Sequence, residues 1–164
     1  MTRGRRARTV VRGVAAVLVA AACLVPATAR AQSPDATAAQ AAVERFLDVL
    51  GNRDLDALPP LFAPTATMAI ARQRDGQWSY TTQTFEEWLA GLRAQVPGTR
   101  FREPLTNVTV HVEDGHLAFV RADFTVVIDG QVRSHGVDYF TLVKDGAAWR
   151  IVNGAYTSKT GPPM

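Results

Sequence analysis

Apolar residues recur at helical spacing from Ala38 onward, with Ala39, Ala42, Val43, Phe46, Leu47 and Leu50 on one stripe and Gly51 as the stop. Asn52 to Asp54 restarts a short second helix through Leu55, Leu58, Leu61 and Phe62, interrupted by Pro59 and Pro60. Residues 66–72 read as a strand, which Asp75-Gly76 turns toward Trp78 and Tyr80. Thr84 and Glu87 stand at capping-box spacing and predict a third helix with Phe85, Trp88, Leu89 and Leu92 on its apolar face. Pro97-Gly98 ends it. The rest is a meander: residues 104–113, 116–128, 131–144 and 147–157 are rich in Val, Thr, Phe and Tyr. Asp114-Gly115, Asp129-Gly130 and Asp145-Gly146 separate them as hairpin turns. Helices followed by an antiparallel meander predict an α+β domain, a curved sheet packed on three N-terminal helices.

The N-terminus has a different pattern. Arg3, Arg5, Arg6, Arg8 and Arg12 precede an apolar run from Val14 to Val25, and Ala29-Arg30-Ala31 offers a small-residue cleavage site. The run is about a dozen residues, against the ~20 needed to span a bilayer. Residues 1–31 are therefore expected to be a cleaved signal peptide and 32–37 a flexible lead-in to a domain over 38–160. The working protein is expected to be secreted or periplasmic. Six of the 18 Lys and Arg, and none of the 15 Asp and Glu, fall in residues 1–31. Removing them leaves 12 against 15, turning the net charge of +3 into −3. No basic face remains to neutralise phosphates, so nucleic acid is excluded as a partner, and membrane association is not expected after cleavage. Cys23 leaves with the leader, which excludes disulfide and thiol chemistry. His111, His116 and His135 do not converge, so no metal site and no cofactor are expected.

Two-residue loops at the three Asp-Gly turns would pair Arg121 with Val108 and Asp138, and Asp138 with Asn153. They would likewise put Phe119 beside Phe140, and Asp123 beside Gly136. One face then has an apolar floor that includes Phe119 and Phe140, turning polar at Arg121, Asp123, Asp138 and Asn153. This is the pattern of a small-molecule pocket. Trp78 and Tyr80 are placed to lid it or simply to pack. The other face carries Ala118, Val120, Ala122, Phe124, Val126, Val137, Tyr139, Val143, Val152 and Tyr156. It is too apolar to stand in water on a small monomer, and predicts a homodimer with Phe124 and Tyr139 near its centre.

The run Phe46-Leu47-Asp48, then Gly51 to Leu58, then Leu61-Phe62-Ala63-Pro64 resembles the first two helices of the nuclear transport factor 2-like superfamily. Asp138 to Leu142 and Asp145 to Val152 resemble its last hairpin. The likeness is greatest to the branch named putative lumazine-binding, or polyketide-cyclase-like. It implies a cone-shaped α+β barrel with a pocket at its mouth, commonly a dimer. Within that superfamily, Arg121, Asp123 and Asp138 resemble the Asp–Arg–Asp set of limonene epoxide hydrolases. That likeness implies Asp138 as base, Asp123 as acid and Arg121 as the bridge that holds their protonation states apart. The same residues also suit a cross-strand Arg121–Asp138 ion pair that only closes the barrel end. The leading expectation is a domain that binds a small apolar or aromatic molecule, with Asn153, Tyr80, Trp78, Phe119 and Phe140 in contact with it. The alternatives are a hydrolase, isomerase or dehydratase using the Asp-Arg-Asp set, and a non-catalytic dimeric interaction module.

Overall fold

The computed structural model describes residues 32–95 and 98–163. The expected signal peptide lies outside the described residues. Helix α1 spans Pro34–Gly51 and is capped by Ser33, whose side chain accepts from the Ala36 amide. Pro34 fits the first turn because its missing N–H is not needed there. Ala39, Val43, Phe46, Leu47 and Leu50 form its buried stripe. The expected second helix is instead two 3₁₀ turns, Leu55–Ala57 and Pro59–Leu61. Two consecutive prolines remove the amide donors that an α-helix would need there.

Strands β1 (Phe62–Arg74) and β2 (Gln77–Thr84) form a hairpin on Asp75-Gly76, both at positive φ. Helix α2 (Phe85–Arg93) opens on the full capping box: Thr84 Oγ1 accepts from Glu87 N at 3.1 Å, and Glu87 Oε2 from Thr84 N at 2.9 Å. Its far end is capped from a distance. Arg53, at φ 64°, donates to the carbonyls of Leu92 (2.8 Å) and Gln95 (3.2 Å). Strands β3 (Leu105–Glu113), β4 (Leu117–Ile128), β5 (Gln131–Asp145) and β6 (Ala148–Thr160) complete a curved, unclosed sheet. Its order is β2-β1-β6-β5-β4-β3, antiparallel throughout except where β1 runs parallel to β6. Both helices pack on its concave face, and Phe46 joins them to the sheet through edge contacts with Phe62 (5.2 Å) and Phe140 (5.6 Å).

The register departs from two-residue-loop pairing, and the departure changes what faces inward. Asp129-Gly130 makes the expected tight turn, with φ of 50° and 75° and Ile128 opposite Gln131. Val127 still pairs with Val132, but Val126 pairs with Ser134, so Arg133 is an extra residue on β5. Every later pair is one step out: Arg121 faces Tyr139, and Asp138 faces Ala122. On the β3 side His116 joins the loop, so Glu113 pairs with Leu117. The last turn centres on Gly146-Ala147, with Asp145 opposite Ala148. An extra residue at Val152 then sets Asp138 against Tyr156, not Asn153.

Because side chains alternate along a strand, a one-residue slip exchanges the faces. Ala118, Val120, Ala122 and Phe124 are buried under the helices, not displayed on a dimer face. Phe119, expected in the floor, is 44% exposed on the other side. Tyr156 and Val126 also line the interior, whereas Tyr139 remains outside at 56% exposed.

Candidate functional site

A cavity of about 260 Å³ opens between the helices and the sheet. Its walls are aromatic: Phe46, Trp88, Phe101, Phe124, Phe140 and Tyr156. The sheet positions around Asp138 are small: Ala122 lies opposite Asp138, and Gly136 and Gly154 occupy the flanking rows opposite Phe124 and Phe140. Gly136 also lets two strands crowd together, since a Cβ there would stand 1.9 Å from the Thr157 carbonyl oxygen.

Asp138 rises into this cavity from the middle of β5 and is only 2% exposed. Glu103 reaches it from the segment that precedes β3. Two anchors position that segment. The Phe101 amide donates to Gly51 O at 3.0 Å, and Arg102 exchanges both backbone hydrogen bonds with Val127, at 3.0 and 2.8 Å. Gly51 is needed for the first anchor: a Cβ would come within 2.4 Å of Phe101 O.

The two carboxyls act on each other's titration. A hydrogen bond between them forms only while one of them keeps its proton. Burial raises Asp138 from 3.8 to about 7, partly opposed by its hydrogen bond with Glu103. Glu103 is raised well above its ordinary value, first by burial and then by the charge and hydrogen bond of Asp138. Two carboxylates this close resist ionising together, and their titration belongs to the pair. Asp138 Oδ2 is buried with no hydrogen-bond partner among the described residues. Above the pair, Tyr156 accepts from Arg72 Nη2 at 3.2 Å. Burial raises the phenol of Tyr156, with Arg72 pulling the other way.

The residues expected to form a site do not converge. Of the Asp-Arg-Asp set only Asp138 enters the cavity, and Phe140 lines it as well. Arg121 and Asp123 lie on the convex face and bond each other at 2.5 Å. Asn107 donates to Asp123 Oδ2 at 2.7 Å, and this bond, followed by that of Arg121, holds the Asp123 carboxyl below its ordinary value. The expected Arg121–Asp138 contact is therefore absent, because the Arg133 bulge turns Arg121 outward. Asn153 faces away from Asp138 and donates to Thr67 Oγ1 at 2.9 Å. Tyr80 is 89% and Trp78 51% exposed on β2, where neither covers the cavity. Phe119 is outside with them. Glu103, Tyr156 and Arg72 take the places those residues were expected to fill. Among the described residues, no group of three or more His, Cys, Asp or Glu is arranged to hold a metal.

The α-helical and sheet arrangement is that of the nuclear transport factor 2-like proteins with a cystatin-like fold, one of which, from Novosphingobium aromaticivorans, matches at 19% identity. That match covers 75% of this chain and 80% of the other, with a TM-score of 0.55. A protein of unknown function from Mycobacterium tuberculosis matches at 19% identity over 73% of this chain and 68% of its own, with a TM-score of 0.57. The β subunit of benzoate 1,2-dioxygenase from Burkholderia mallei matches at 21% identity over 73% and 87%, with a TM-score of 0.57. At these identities the likeness is one of fold. No curated protein matches the sequence. The family described as "Putative lumazine-binding" matches residues 34–157, and the chain belongs to that family.

Proposed function

We propose that this chain is an exported small-molecule-binding domain whose ligand occupies the aromatic cavity over Glu103 and Asp138. One observation carries the reading. Asp138 is nearly inaccessible, yet one of its oxygens has no partner among the described residues and the cavity lies beside it. An unsatisfied buried oxygen costs about 1–3 kcal/mol, and a ligand donor removes that cost. The family description points the same way. Native mass spectrometry of the protein purified from its own host tests the reading, with a bound small molecule as the expected result. An empty protein that also fails to take up any aromatic compound in a titration screen would overturn it.

A second reading is favoured by the carboxyl pair itself. An acid with a pKa of about 7, coupled to a second raised carboxyl, can take and return a proton near neutrality. This keeps a hydrolase, isomerase or dehydratase in play, with Glu103 and Asp138 replacing the Asp-Arg-Asp set. Turnover lost in Asp138→Asn with ligand binding retained would select it. The homodimer is a third element of the proposal. Tyr139, Tyr80, Trp78 and Phe119 are the large apolar side chains left exposed on the convex face, and a second copy would cover them.

A further inference from the structure

Taking the cavity as the binding site, we infer that its ligand is a small ring-bearing carboxylate. The acid group is held at the mouth by Arg72 and Tyr156, and a hydroxyl or N–H across the ring meets Asp138. The inference rests on the small-molecule reading above and adds charge and polarity to it.

Arg72 is the starting point. It lines the cavity from β1, and its hydrogen bond to the Tyr156 hydroxyl engages only one donor of a guanidinium that has five. No carboxylate lies within ion-pair distance of it among the described residues. Tyr156 accepts from Arg72, so its own O–H is left to donate. Arg72 and Tyr156 together offer an oxyanion two charge-assisted or polarised donors at one point.

Register gives the second half of the argument. Ile70, Tyr156, Asp138 and Ala122 form one row across the sheet, and Arg72 stands one row further along, opposite Ser158. Arg72 and Asp138 are thus two strands and one row apart, roughly 12 Å between Cα atoms, with side chains that both enter the cavity. A ligand hydroxyl or N–H can donate to Asp138 Oδ2, which has no partner among the described residues, while that oxygen is unprotonated. Between the two ends the walls are aromatic. A dry cavity of ~150 Å³ holds benzene, so about 260 Å³ accommodates a ring with a substituent at each end.

Calorimetric titration at pH 7 with 4-hydroxyphenylacetate, 4-hydroxyphenylacetamide and indole tests this in the wild type and in Arg72→Gln. The acid should bind about tenfold more tightly than its amide, and the ratio should fall to near one in Arg72→Gln. Equal affinity for acid and amide in the wild type, or a ratio that survives Arg72→Gln, would overturn the inference. So would uptake of indole without uptake of the acid, which leaves the cavity reading standing. Failure of all three compounds to bind would remove both.

Discussion

Asp138 and Tyr156 stand opposite each other on β5 and β6, and both side chains enter the cavity from the middle of the sheet. Asp138 lies among aromatic rings and small residues, and it forms no ion pair among the described residues. That environment gives it a measurable linkage to pH. Its folded value, about 7, exceeds its ordinary 3.8, so folding favours the protonated form. The associated stability is fully present below about pH 4 and is lost as pH rises through 7. Glu103, raised in the same direction, contributes a loss of the same sign. Relative to Asp138→Asn, the wild type should lose on the order of 2–4 kcal/mol between pH 4 and pH 8. Urea denaturation of both proteins across that range checks it, and identical pH slopes would contradict it.

Gly51→Ala should act at a distance. The new methyl would collide with Phe101 O, a backbone atom in the segment that delivers Phe101 and Glu103 to the cavity. We expect a stability loss of about 1–3 kcal/mol, accompanied by weaker uptake of any cavity ligand. Denaturation and titration of the same preparation measure the two effects. A destabilised variant with unchanged ligand affinity would show that the anchor does not position the site.

On the convex face Tyr139 is the side chain to change. Tyr139→Asp should convert a homodimer into a monomer at micromolar concentration, as read by sedimentation velocity, while leaving cavity binding intact. A wild type that sediments as a monomer would refute the dimer directly.

The exported protein should begin at Gln32, after the Ala29-Arg30-Ala31 site. Intact-mass analysis of material recovered outside the cytoplasm decides this. A mass equal to the full 164 residues would mean that the leader is retained.

The fold was legible because its signals are local. The Thr84–Glu87 cap, the helical stripe from Ala39 to Leu50 and the Asp-Gly turns each act within a few residues, where propensity and geometry decide. The site was not, because it depends on registers kept over ten or more residues. Arg133 and Val152 give no compositional sign that they are extra residues, yet they decide which side chains Asp138 meets. Asp138 and Phe140 were within reach because β5 keeps its inward alternation from the apolar pattern of Phe140 and Leu142 alone. Glu103 was out of reach for another reason. It sits in an irregular segment held by backbone bonds to Gly51 and Val127, and no periodicity marks such a position.

The bulge at Arg133 has a consequence for how proteins of this shape diverge. Side-chain alternation along a strand works like a reading frame, and an extra residue is a frameshift that leaves the letters unchanged. On one side of it the sheet presents Ala122 to Asp138; in the other frame the same strands would present Arg121. A single inserted or deleted codon can therefore swap a buried acid pair for an ion pair, with no substitution at either position. Lineages built on this sheet can exchange chemistries by changing length, and comparison of aligned residue identities alone would miss the event.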